Sequence, residues 1–179
     1  NDLIMFEGKF VTLRALEKED LPSLKEWRNS LHVRKSTREY KLLNMINQKN
    51  WFESIHQSNP PKDIMFGILN KRKKLIGVTG LTYIDWKNRN SEISIYFSTK
   101  NWQAKPEAKE VINLVMEYGF EELNLNRLYV EIFSLMKENV KLFKKMKFIK
   151  EGQLREKIWR QNKWWDTLIF SKLAKEYKK

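Results

Sequence analysis

Apolar and polar positions alternate at Val11, Leu13 and Ala15 against Thr12 and Arg14, so residues 9–16 read as a strand with one buried face. The spacing then lengthens. Asp20 has the chemistry of a helix N-cap, Leu21, Leu24 and Trp27 share one helical face, and Asn29-Ser30 stop the helix. A second helix is predicted over 48–57 with Trp51, Phe52 and Ile55 inward. Asn59-Pro60-Pro61 end it, because proline cannot donate to the helix ladder. Three strand-like runs follow, at 65–69, 75–84 and 92–97, divided by the charged turns 70–74 and 87–90. They predict an antiparallel meander whose middle strand is long enough to bend at its glycines.

Helical spacing returns with Val111, Leu114, Val115, Tyr118 and Leu123, predicting a helix over 107–123. Asn124-Leu125-Asn126 turn the chain into a strand at 128–133, and strand, helix, strand in that order implies a parallel pair with a right-handed crossover. A short helix over 137–146 carries Val140, Phe143 and Met146 on one side. Two last strands, 149–158 and 163–173, flank the turn Arg160-Gln161-Asn162. With no repeat, linker or low-complexity stretch, 1–179 reads as a single domain of α/β (α+β) class.

Composition narrows the chemistry. The absence of cysteine removes disulfides, thiol nucleophiles and cysteine-based metal sites, and two isolated histidines, His32 and His56, are too few for a cluster, so no metal is expected. No apolar run reaches the ~20 residues of a membrane span, and the first residues lack a secretory pattern, so a cytoplasmic protein with no membrane partner is expected. Thirty-five Lys and Arg against 22 Asp and Glu leave a net charge of +13, which draws anions and repels polycations. Such a surplus also suits a lysine-rich solvated surface. Its clusters, Lys71-Arg72-Lys73-Lys74 and Lys144-Lys145, are short and unlike a nucleic-acid-binding arm, so nucleic acid is disfavoured as a partner.

The order of elements and several local segments resemble the GNAT N-acetyltransferase superfamily. Gln103-Ala104-Lys105-Pro106-Glu107-Ala108 resembles its pyrophosphate loop, Gln/Arg-x-x-Gly-x-Gly/Ala, with Pro106 in place of the middle glycine. Residues 118–128 resemble its helix end and entry to the next strand, 142–152 its leucine-tyrosine to glutamate-glycine segment, and 164–168 the start of its last strand. Trp27-Arg28-Asn29, followed by Val33-Arg34 and Trp51, resembles the branch acetylating a nucleotide-linked amino-sugar in pseudaminic acid biosynthesis. The overall layout is also similar to the ribosomal-protein alanine N-acetyltransferases and to spermidine N-acetyltransferases.

The resemblance implies an acyl-CoA N-acyltransferase fold: a mixed, mostly antiparallel sheet with a splayed parallel pair and helices on both faces. It implies acetyl-CoA as donor and a small-molecule amine or protein N-terminal amine as acceptor, and it is compatible with a homodimer. The coenzyme is expected against Tyr96, Phe97 and Ser98, the loop Gln103, Ala104, Lys105, Pro106, Glu107, Ala108 and Lys109, and Asn139 and Phe143. Trp27, Arg28 and Asn29 are the expected substrate residues. Proline at a first helical position is pre-organised but brings no N–H to a phosphate.

Acetyl transfer requires loss of a proton from the amine and stabilisation of the departing thiolate. Glu92 and Glu131 are the candidate catalytic carboxylates, each on a strand beside the implied cleft, where desolvation is expected to raise a carboxyl pKa. A salt bridge is the structural alternative for Glu131. Phe143 stands where the superfamily's tyrosine acid is usual, Met136 where its asparagine is, and Lys147 where its glycine is. Proton delivery then falls to Tyr96, Ser98, Ser134 or solvent. The alternative is a degenerate member that binds CoA or another anion without efficient turnover.

Overall fold

The computed structural model describes residues 6–177. Eight strands form one sheet: β1 (Phe6–Glu7), β2 (Val11–Ala15), β3 (Ile64–Asn70), β4 (Leu75–Asp85), β5 (Asn90–Phe97), β6 (Arg127–Phe133), β7 (Ile149–Arg160) and β8 (Lys163–Leu173). Their spatial order is β1-β2-β3-β4-β5-β6-β8-β7. The helices are α1 (Leu21–Asn29), α2 (Leu31–Arg34), α3 (Met45–Gln57), α4 (Pro106–Glu117), α5 (Lys137–Lys145) and α6 (Ala174–Tyr177). The expected meander is β3-β4-β5, and the expected parallel pair is β5 with β6. The short elements β1, α2 and α6 were beyond the reach of periodicity, which needs more than one turn or pleat to register.

Two apolar layers flank the sheet. Val111, Ile112 and Val115 of α4 pack on Leu13, Phe66, Ile68, Leu81 and Leu128 in the larger one. Leu21 and Leu24 of α1 and Val33 of α2 pack on Met65, Val78 and Tyr96 in the smaller, with Trp51 and Phe52 of α3 at its edge. Period-2 alternation along β5 therefore sends Ile93, Ile95 and Phe97 to the α4 side and Tyr96 to the α1 side.

Local chemistry differs from the sequence reading at three places. Asp20 sits at the N-cap of α1 but makes no side-chain cap; its carboxylate accepts from Arg14 Nη1 and Nη2 at 2.7 and 2.8 Å and from Glu17 N at 2.8 Å. The helix α3 begins three residues early, because Asn44 and Asn47 form a reciprocal capping box. β4 is irregular at two places: beside Gly77, where its register with β3 shifts between Ile68 and Leu69, and at Thr82/Asp85, where Tyr83 has φ 50° and its N–H goes to Asp63 Oδ1 at 2.9 Å. Gly80 serves close approach instead, since a Cβ there would meet Met65 Cα at 2.8 Å.

The β7–β8 turn is a two-residue one, with Gln161 and Asn162 both left-handed at φ 53° and 60°. That twist matches a hairpin, so Arg160 joins the strand instead of the turn. No helix among the described residues is long and apolar enough to cross a membrane.

Candidate active site

Strands β5 and β6 pair only through Asn90↔Arg127, Ser91↔Leu128 and Glu92↔Tyr129. Beyond Glu92, β5 keeps its β4 partner as far as Phe97, while β6 stays paired with β8 as far as Phe133. The two strands have therefore parted, and a cleft of about 590 Å³ opens along the gap. Ser98 N donates to Ile76 O at 2.9 Å, so alternation in the antiparallel ladder turns the backbone of Ser98 and Tyr96 toward β4. Phe97 and Ile95 present theirs to the open side. His32 Nε2 of α2 donates to Phe97 O at 3.3 Å, a contact that no sequence spacing announces.

Glu92 and Glu131 meet at the point where the ladder ends. Arg38, from the loop 35–44, donates to both: Nη1 to Glu92 Oε1 and Nη2 to Glu92 Oε2, each at 2.9 Å, and Nη2 to Glu131 Oε2 at 3.0 Å. Glu131 also accepts from Lys157 Nζ at 2.5 Å and from Thr167 Oγ1 at 2.8 Å. Burial alone would raise the Glu131 carboxyl, but hydrogen bonds from Lys157, Thr167 and Arg38 outweigh it and hold the carboxyl below its ordinary value. The expectation of an elevated value is corrected here. The same two carboxylates hold the Arg38 guanidinium even more firmly protonated than usual, against its own desolvation.

The loop carrying Arg38 is tied down from two sides. Asn29 Nδ2 donates to Leu43 O and Leu43 N to Asn29 Oδ1, both at 2.7 Å, and Arg160 Nη2 donates to Thr37 O at 2.8 Å. Of the three expected substrate residues, Asn29 thus braces the loop, Trp27 packs against the smaller core, and Arg28 lines the cleft. The Arg28 guanidinium lies 6.0 Å from the Tyr96 ring centroid. Burial pushes the Tyr96 hydroxyl up to about 12, with Arg28 opposing the rise.

At the far end of β5 the chain passes Asn101 (φ 57°) and a 3₁₀ turn, Trp102–Ala104, into α4. Pro106 is the first helical residue, and the Ala108 N–H returns to Lys105 O at 3.2 Å, which leaves the Glu107 N–H as the principal first-turn donor. Ala104, Lys105, Pro106 and Lys109 are exposed, Glu107 half-buried and Ala108 fully buried against the core. Gln103 Nε2 donates to Asn139 Oδ1 at 2.6 Å, joining this turn to α5. Trp102 is buried and stacked on Phe97, ring centroids 5.0 Å apart, so it shields the turn from beneath. Asn139 and Phe143 line the cleft; Phe143 is only 2% exposed and packs edge-on to Phe148.

The geometry joins Glu92, Glu131, Tyr96, Arg28, Asn139 and Phe143 along one cleft, with the turn from Gln103 to Lys109 at its end. Sequence reasoning missed Arg38, Lys157 and His32. The signal for Arg38 was absent, because its partners lie 54 and 93 positions away.

Comparison with known proteins gives a consistent result. The acetyltransferase (GNAT) domain family matches residues 13–169. The uncharacterized N-acetyltransferase YoaA of Bacillus subtilis is 32% identical over 142 residues, 75% of this chain and 78% of its own. The spermidine N(1)-acetyltransferase of Vibrio cholerae is 26% identical over 179 residues, 93% of this chain and 95% of its own. The crystal structure of the Vibrio cholerae spermidine N-acetyltransferase in complex with CoA and spermine superposes with a TM-score of 0.87 at 25% identity, covering 94% of this chain and 98% of that one.

Proposed function

The chain belongs to the acetyltransferase (GNAT) family and is an acetyl-CoA-dependent N-acetyltransferase, and on that premise we propose that its acceptor is a single primary amine on a neutral or anionic small molecule, an amino-sugar nucleotide before a protein N-terminus. The observation that carries this is the charge balance where β5 and β6 part. Two carboxylates there are already matched by Arg38 and Lys157, in a protein of net charge +13. Arg28 and Lys41 line the same cleft alongside Glu39 and Asp63, so the preference for an anionic remainder rests on the Arg28 and Lys41 side chains and on the surplus of +13 carried by the whole chain. The Vibrio cholerae relative acts on spermidine, which carries several positive charges and would approach this protein against its overall net charge of +13.

In this reading the coenzyme lies along the open edge of β5, its amides on the backbone of Phe97 and Ile95. Its diphosphate lies on the turn from Gln103 to Lys109, the Glu107 N–H and the Lys105 and Lys109 ammonium groups facing it. Asn139 and Phe143 flank the pantetheine arm.

An alkyl ammonium with pKa near 10 must first lose a proton, and Glu92 receives it through water. A carboxylate offers about four acceptor positions, and Arg38 uses two of those on Glu92. The freed amine attacks the thioester carbonyl carbon, the carbon–sulfur bond breaks, and the electron pair leaves on sulfur as thiolate. The Tyr96 hydroxyl, at about 12, is a weaker acid than a thiol of about 8.5. It therefore stabilises the sulfur by hydrogen bonding and keeps its proton, while the nitrogen sheds its second proton to solvent, which protonates the thiolate, leaving a neutral amide and the free thiol. A cytoplasmic setting is part of the same proposal.

The absence of a hydroxyl at the buried Phe143 favours one second reading, CoA binding without efficient turnover. Thiol release from acetyl-CoA, measured across spermidine, an amino-sugar nucleotide and a peptide N-terminus, decides between them. Release with the nucleotide sugar supports the proposal; binding of CoA with no release from any amine supports the second reading.

A further inference from the structure

We infer that Arg38 is a built-in competitor for an ammonium site formed by Glu92 and Glu131, and that it sets this enzyme's discrimination against polyamines; the inference rests on the acetyl-transfer reading of the cleft. The two carboxylates project from adjacent strands on either side of the point where the parallel ladder stops. Their side chains retain 12% and 9% of their exposure, so little water solvates them. Two shielded carboxylates converging on one point form a receptor for a cation. Here the cation is part of the chain: the Arg38 guanidinium makes three N–H···O bonds of 2.9, 2.9 and 3.0 Å.

A fork-to-fork pair of this kind is stronger and more directional than a single ammonium contact. A polyamine seeking both carboxylates must displace it. An amine with one charge has a smaller requirement, because the remaining acceptor positions on Glu92 suffice. Glu131 is less available still, since Lys157 and Thr167 already donate to its other oxygen.

The arrangement is separable from the fold. The loop 35–44 is held by Asn29 at Leu43 and by Arg160 at Thr37, contacts that do not involve the Arg38 side chain. Replacing the guanidinium should therefore expose the carboxylates while the loop keeps its course.

The test is calorimetric titration of spermidine into the CoA-loaded protein as wild type, Arg38→Gln, Arg38→Lys and the triple variant Arg38→Gln/Glu92→Gln/Glu131→Gln, each checked for folding by urea denaturation. Arg38→Gln is expected to bind spermidine about tenfold tighter than wild type, with the gain shrinking as salt rises. Arg38→Lys, which keeps the charge but loses the fork, should fall between wild type and Arg38→Gln, and the triple variant should lose the gain. Equal affinity of wild type and Arg38→Gln overturns the inference, and so does a gain that survives removal of both carboxylates. Because the titration reads binding alone, failure of thiol release with every amine would overturn the transfer reading and leave the role of Arg38 standing.

Discussion

Arg38 and Glu92 meet fork to fork, two parallel N–H···O bonds of 2.9 Å joining a loop and a strand 54 positions apart. The same guanidinium reaches Glu131 across the gap, so one side chain bridges the two strands whose parting makes the cleft. Charge-assisted contacts of this length compensate both carboxylates in charge and, with Lys157 and Thr167, hold the Glu131 carboxyl below its ordinary value.

In the proposed mechanism Glu92 receives the proton relayed from the amine. Glu92→Gln should lower the rate of thiol release by about 10²-fold or more and leave the dissociation constant for CoA within about twofold of wild type. Steady-state kinetics beside a CoA titration measure both; an unaltered rate removes Glu92 from the chemistry.

The first turn of α4 lacks one donor because Pro106 has no N–H. Pro106→Gly restores it and should tighten CoA binding by about fivefold, the value of roughly one added hydrogen bond. An affinity equal to wild type would mean that the diphosphate does not lie on this turn.

Lys147 closes α5 in a left-handed conformation, φ 59°, with Phe148 N donating to Phe143 O at 3.0 Å and Lys147 N to Lys144 O at 2.9 Å. These are the paired bonds of a Schellman motif, in which glycine bears no Cβ penalty. Lys147→Gly should stabilise the protein by about 0.5–1 kcal/mol, read as a higher urea midpoint at constant slope. A lower midpoint would show that the lysine side chain contributes more than its backbone strain costs.

Asp20 titrates in the acid range. Burial alone would raise its carboxyl, but the Arg14 hydrogen bonds and the Glu17 N–H outweigh it, so the folded value lies below the ordinary 3.8. A depressed folded value stabilises fully above the unfolded one and is lost as pH falls through the folded one. Asp20→Asn should therefore cost about 1–3 kcal/mol at neutral pH, and its deficit relative to wild type should shrink as pH is lowered toward about 2. Urea midpoints along that series test the sign; a deficit independent of pH would mean that the ion pair contributes nothing.

Whatever depended on neighbours in sequence could be read without coordinates. The alternation of Val11 and Leu13, the spacing of Val111 and Val115, and the strand-helix-strand order around residue 107 each report a local period, and together they predicted the meander and the parallel pair. Glu92, Glu131 and the turn at Pro106 were legible because motif and strand position mark them. The contacts of Asn29 and Trp27 were hidden for the complementary reason: the same residue types serve to bind a ligand, to brace a loop or to fill a core, and only the fold shows Asn29 bonded to Leu43 and Trp27 packed on the smaller core. Arg38, Lys157 and His32 left no local trace at all. Their partners come from strands and turns distant along the chain, so the charge state of the cleft follows from chain folding, where short-range Coulomb and hydrogen-bond terms first act between those groups.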